Sequence, residues 1–264
     1  MLLRLFLVAV FRASKDVNGH TAVWVFCMQV KLLSHTPEPE KVVAAAARLC
    51  YSASSIATLM QQDEAAAARL IRKVLGLGHL SVLEHVTCSF GVEGISRACS
   101  HQLVRHRVAS YSQQSQRYVS HAEPFVAVVP DTIRADAGLF SRYQELMAQI
   151  HATYAEFLSA GIPAEDARFV LPNAAATKII ISMNARELHH FFALRCCRRA
   201  QWEIRAMATQ MLQQCRALSP VLFADAGPPC LVGQCPEGSM TCGAIKAVRR
   251  EFRGAPTPGG SPAG

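Results

Sequence analysis

From Asp136 to Ala160 the apolar residues Leu139, Tyr143, Leu146, Ile150, Tyr154 and Phe157 return every three or four positions, and Gly161 follows. That period defines a helix of about seven turns with one apolar stripe, which other parts of the fold must cover. The same period runs through Glu40 to Cys50, after Pro37 and Pro39, and through Asp63 to Leu75. The second of these opens on a capping acid, carries Ala67, Leu70, Ile71 and Val74 on one face, and meets Gly76. It recurs from Ala200 to Leu218, with Ile204, Ala208, Met211, Leu212 and Cys215 in line before Ser219-Pro220. Strands are fewer. Val86, Cys88, Phe90 and Val92 alternate with small or polar residues, Thr177 to Met183 centres on three isoleucines, PFVAVVP over 124–130 offers a third, and MQVKLLSH from Met28 opens a further strand before the first helix. Long helices with a minority of strands, outside strict alternation, predict an α+β fold: a single domain with an antiparallel sheet flanked by long helices.

The 51% hydrophobic and 17% charged content excludes a mainly disordered chain. No apolar run reaches the ~18 residues of a bilayer span, so no membrane partner is expected. Residues 1–27 hold two short apolar runs broken by Arg4 and Arg12, and they read as an N-terminal extension rather than a targeting peptide. The domain is expected over 28–245, with a flexible Gly/Pro-rich tail over 246–264. Ten scattered cysteines, several in apolar settings, read as reduced thiols of a cytoplasmic protein. Cys230, Cys235 and Cys242 lack a fourth metal ligand in sequence, and no metal is expected.

The net charge of +8 favours anionic partners, and its most concentrated source is RHRVASYSQQSQR, residues 105–117. The window from Gly94 to Ala122 holds four arginines and no Asp, Glu or Lys. Two readings of it stand: a basic face for a polyanion, or a pocket for phosphates. The pocket is favoured over nucleic acid because the window lacks both lysine repeats and a run of aromatic stacking platforms. Glu93 to Arg107 is expected to be a helix with Gln102 and Arg105 one turn apart, followed by a polar loop whose amides, hydroxyls and guanidinium forks suit phosphate oxygens.

RHR followed seven residues later by Ser resembles the signature of the flavin-dependent thymidylate synthases. The resemblance continues in GHLSVLEH (78–85), ARFVLP (167–172), MNARELHHFFALR (183–195) and AQWEIR (200–205), so that it spans the chain from about Met28 to Cys242. It implies a homotetramer with active sites shared between subunits. It implies dTMP made from dUMP, with methylenetetrahydrofolate as one-carbon donor and NADPH as reductant through FAD. Carried over by position, Ser81, Arg105, His106, Arg107, Gln113, Asn184, Ala185, Arg186 and His190 are the implied flavin contacts. Gln102, Leu103, Val104, Arg105, Arg168 and the loop Gln113, Gln114, Ser115, Gln116 and Arg117 are the implied dUMP contacts. Arg195 falls where the family places the arginine that activates the pyrimidine.

Two departures stand out. Gln113 replaces a glutamate found in many members, and His190 stands where some have asparagine, which leaves it either a flavin contact or a packed helical histidine. Ser115 has no base close in sequence, so a positioning role is expected rather than nucleophilic attack. Cys196 and Cys197, although flanked by arginines, are expected to be structural.

Overall fold

The computed structural model describes residues 28–119 and 125–253; the expected extension over 1–27 lies outside them. Strand β1 is Gln29–His35, after which Pro39 starts helix α1 (Pro39–Leu49). Helices α2 (Ile56–Met60) and α3 (Glu64–Gly76) follow, each entered by a side-chain cap, Ser55 onto the Thr58 N–H and Asp63 onto the Ala66 N–H. The 3-10 segment Leu80–His85 leads into β2 (Thr87–Ser96), in which Cys88, Phe90 and Val92 are buried as their alternation predicts. Helix α4 (Arg97–Leu103), strand β3 (Ala109–Gln113), α5 (Asp131–Arg134), α6 (Ala137–Ser159) and α7 (Ala164–Ala167) precede β4 (Ala176–Asn184). The chain closes with α8 (Ala185–Arg195), α9 (Trp202–Leu218) and α10 (Ile245–Arg253).

The sheet order is β1-β2-β4-β3, and the strands are antiparallel. The register follows from the paired ends: the Arg97 N–H donates to the Ala175 carbonyl, and the Ala185 N–H donates to the Val86 carbonyl. The expected α+β class with an antiparallel sheet is therefore observed. The described chain packs as two compact units. One comprises, of the described residues, 28–29, 91–105 and 111–180; the other comprises 30–90, 106–110 and 181–253. In the first, Phe125, Ala127, Met147 and Ala175 form a buried cluster joined by Tyr143 and Ile150 of α6. In the second, α8 packs on α9 and on the 3-10 segment, and the expected α9 stripe of Ile204, Ala208, Met211, Leu212 and Cys215 is buried.

Four expectations need correction. The helix over Glu93 to Arg107 is shorter, because Gly94 sits at φ 74 in the strand and Ser96, extended, caps the Cys99 N–H. Arg105 therefore lies beyond the end of α4, not on a face shared with Gln102. The polar loop is also shorter, since β3 claims residues up to Gln113 and the Gln114 N–H still pairs with the Lys178 carbonyl. An edge strand tolerates such a polar sequence because one flank needs no partner strand. The expected strand over 124–130 is reduced to one bridge, Ala127 with Ala175. Part of the expected tail is the helix α10, which buries Val248 and Phe252 and whose Arg253 donates to the Leu231 carbonyl at 2.7 Å; residues 254–264 lie outside those described.

Candidate functional site

Asn184 ends β4 in extended conformation and its Oδ1 accepts the Glu187 N–H at 2.9 Å, which starts α8. This cap places Glu187 and His190 one turn apart on α8. Glu187 is 8% exposed and His106 5%. A carboxylate so deep requires a partner, and His106 Nδ1 lies 3.2 Å from Glu187 Oε1. On the other side of the ring, Arg195 Nε donates to His106 Nε2 at 3.0 Å. A guanidinium only donates, so Nε2 must be the unprotonated nitrogen, and the proton sits on Nδ1 and points at Glu187. Burial holds the His106 pKa below its ordinary value; the Glu187 hydrogen bond opposes this and the Arg195 charge adds to it. The result is a carboxylate, a neutral imidazole and a guanidinium in series, with Arg195 oriented before any ligand arrives. Among the described residues, His106, Glu187 and His190 also bring ligand atoms within 4.8 Å of one another. The Arg195 charge on His106 and the engagement of both His106 nitrogens disfavour a cation there.

The same helix start lines a cavity of about 640 Å³ with Leu80, Glu84, Val108, Asn184, Arg186 and His190 among its walls. Leu80 and Val108 give it apolar surface, while Arg186, ion-paired with Glu84, and the exposed His190 give it a polar rim. Its size lies within the range of cofactor pockets, roughly 300–1,000 Å³. Both histidines of HH line this cavity, but His189 is the packed one, with Nε2 on the Leu222 carbonyl at 2.9 Å and its ring stacked on Phe223.

In the other unit, a cavity of about 340 Å³ is lined by Arg97, His101, Gln116, Arg168, Leu171 and Asn173 with neighbouring residues. Burial lowers the Arg97 pKa, and the Arg168 charge lowers it further. Neither guanidinium forms an ion pair with a described residue. Two like charges facing one concavity without a counter-ion suit an anion.

The implied contacts fare differently one by one. Asn184, Arg186 and His190 meet at one cavity, and Arg168 and Gln116 at the other. Of RHR, only His106 is buried; Arg105 and Arg107 are exposed on either side of it. Leu103 is fully buried with its carbonyl accepting from Tyr111, and Ala185 is fully buried with its N–H on Val86, so neither offers a side chain to a ligand. Gln113 donates from Nε2 to Ser100 Oγ at 2.9 Å and to Thr177 Oγ1 at 3.2 Å, whereas a glutamate there could only accept from those hydroxyls. Ser115 Oγ accepts the Arg117 N–H at 3.1 Å, and Arg117 is paired with Glu165. Ser81 is exposed on the 3-10 segment, Gln102 and Gln114 are half-buried, and Val104 is exposed. Glu187, Arg97 and His101 are site residues that the sequence reading does not single out. Cys196 is buried with its thiol pushed up to about 12, chiefly by burial, which makes it a poor nucleophile.

Residues 31–221 match the family model described as thymidylate synthase complementing protein. The chain is 55% identical over 228 residues to the flavin-dependent thymidylate synthase of Geobacter sulfurreducens, covering 86% of this chain and 98% of that one. It is 42% identical over 238 residues to that of Pyrococcus furiosus, covering 85% and 96%. A solved UMP/dUMP methylase from Streptomyces cacaoi, bound with 5-Br dUMP, superposes with a TM-score of 0.66 at 25% identity, covering 75% of this chain and 93% of that one.

Proposed function

Since the chain belongs to the family of flavin-dependent thymidylate synthases, we propose a division of labour among its residues in making dTMP from dUMP by reductive methylation. Methylenetetrahydrofolate supplies the one-carbon unit and NADPH the reducing equivalents. The cavity walled by Leu80, Val108, Asn184, Arg186 and His190 suits a flavin, with apolar walls for a ring and donors for its polar edge and phosphates. FAD bound there supplies hydride transfer.

Arg195 is the catalytic residue of this reading. Uracil C5 must become nucleophilic toward a one-carbon electrophile, and negative charge develops on the ring as it does. A guanidinium stays protonated, so Arg195 acts by stabilising that charge rather than as a base. The observation that carries the reading is the grip of neutral His106 on Arg195 Nε, which leaves the two terminal nitrogens of the fork to the pyrimidine. Glu187 is a positioning residue that sets the tautomer of His106. Arg168, Arg97 and Gln116 are proposed to take the phosphate of dUMP. Ser115 orders the turn by accepting the Arg117 N–H, and the amides of Ser115 and Gln116 are left to face it.

We further propose the homotetramer, with the loop Gln113 to Arg117 serving a neighbouring subunit. Leu139, Leu146 and Phe157 stand in line on α6 yet are 56%, 50% and 36% exposed, so the helix carries more apolar surface than its own chain covers. A domain that runs on from 28–245 through α10 to Arg253, and a cytoplasmic setting, complete the reading. No described helix is long and apolar enough to cross a membrane. The purified protein is expected to be yellow and to form dTMP only with dUMP, methylenetetrahydrofolate and NADPH together. A colourless protein that stays inactive after FAD addition refutes the reading.

A further inference from the structure

The cavity that holds Arg97 and Arg168 has a second wall of different character. Phe169, Leu171 and Pro172 line it beside the two guanidiniums. The 3-10 turn Arg168–Val170 sets Arg168 and Phe169 side by side, with Arg168 Nε held on the Glu165 carbonyl at 3.0 Å and Phe169 83% exposed. Leu171 packs against the buried cluster of Phe125, Ala127, Met147 and Ala175, which makes its part of the wall rigid. We propose that Phe169, backed by Leu171 and Pro172, selects the 2′-deoxy sugar, so that the site takes dUMP in preference to UMP. This rests on the reading of the cavity as the seat of the dUMP phosphate.

A 5′-phosphate is one methylene away from its sugar. A phosphate on Arg97 and Arg168 therefore brings the sugar against the neighbouring wall of the same cavity. dUMP and UMP share phosphate and base and differ only at C2′, so neither the charge pair nor a group that reads uracil can tell them apart. The surface at C2′ can. A deoxy carbon gains by burying its C–H groups against a phenyl ring, whereas a hydroxyl there gives up water and needs a partner. The backbone of this wall has little to offer one. The Leu171 N–H donates to the Arg168 carbonyl at 3.0 Å, Pro172 has no N–H, and the Pro172 and Asn173 carbonyls already accept from Ala175 and Ala98 at 3.0 Å each. The 3′-hydroxyl, which both sugars carry, needs a polar neighbour, and the exposed Asn173 follows in the cavity lining.

An apolar wall rejects an added hydroxyl only moderately, so UMP should bind about 10- to 100-fold more weakly than dUMP. Phe169 is the member of the wall to vary. Leu171 is committed to the core cluster and Pro172 to the backbone turn, whereas the Phe169 ring lies outside the buried core and its replacement leaves the fold intact.

The test measures Kd for dUMP and for UMP by equilibrium dialysis of the FAD-loaded full-length chain, with inorganic phosphate as competitor. Phe169→Gln puts a donor and an acceptor where the ring was. It should cut the preference for dUMP about tenfold, chiefly through tighter UMP, while Phe169→Leu keeps most of it. Phosphate should displace both nucleotides, with an inhibition constant that shifts less than about twofold among the three proteins, because the ring acts on the sugar and not on the anion. Three results overturn the proposal: a parent chain that binds UMP as tightly as dUMP, a preference unmoved by Phe169→Gln, or a Phe169→Gln chain that changes its assembly size and not its preference, which makes the ring a subunit contact. Failure of the underlying reading looks different. A parent chain that binds neither nucleotide refutes the dUMP assignment and the wall with it, whereas dUMP bound without selectivity removes the wall alone.

Discussion

Arg97 and Arg168 face one cavity with no described carboxylate paired to them, whereas Arg195 is held by an imidazole that a buried carboxylate holds in turn. The first pair repels itself and is relieved only by an incoming anion, so it favours binding. Arg195 is fixed beforehand by His106, and a fixed charge stabilises developing negative charge with little reorganisation. In the proposed division of labour, excess positive charge serves capture in one region and chemistry in the other.

The sharpest way to break this contrast is Arg195→Ala. It is expected to lower the rate of dTMP formation by at least about 10²–10³-fold, read in single turnovers, with the flavin absorbance retained. A variant that keeps most of its rate refutes the catalytic role. Next in size is Arg168→Ala, which should raise KM for dUMP about 10- to 100-fold, the equivalent of one charge-assisted hydrogen bond, with kcat changed far less. Because Arg168 presses on Arg97, the same variant should melt no lower than the parent without ligand; a clear drop would mean that the arginine is structural.

Glu187→Gln should lower kcat by roughly tenfold at a nearly constant KM. Its signature is in the pH profile. Glu187 raises the His106 pKa against the effect of burial, so its neutralisation lets His106 stay neutral to lower pH, and the acid limb of the profile moves down. An unmoved limb separates a merely structural glutamate from the relay. The smallest effect is on stability. His106 and His189 both have pKa values lowered from 6.5, in each case chiefly by burial. The unfolded chain then takes up protons that the folded chain refuses. Their contribution is complete above pH 6.5 and falls away as pH drops through the lowered values, so the melting temperature should decline on acidification. A flat profile between pH 7 and about 5 contradicts the neutral assignment.

Much of the fold was legible because its signals are local. The helix starts at Asp63 and Asp136, the alternation in β2, the isoleucine run of β4 and the stripe of α9 sit where the pattern puts them. The α6 stripe was legible only in part, since periodicity marks an apolar face without saying what covers it. Tyr154 is buried by its own chain, and Leu139 is not. Arg97 was legible only as one charge of the acid-free window, because Glu93 to Arg107 reads as one helix, while the break at Ser96 gives Arg97 its place beside Arg168. Glu187 carries one sequence signal, an acid three residues past the capping Asn184, and that signal points to a helix start rather than to a buried relay.

The sequence by itself determined the family, the alternation of helices and strands, and the residue types of the site, because each is written in neighbouring residues or in short motifs. Tertiary structure alone decided which charges compensate one another. His106 meets Glu187 across 81 positions and Arg195 across 89, and no local rule reaches that far. Only the burial of α8 leaves His106 and Glu187 with no water to bond and so requires them to find each other.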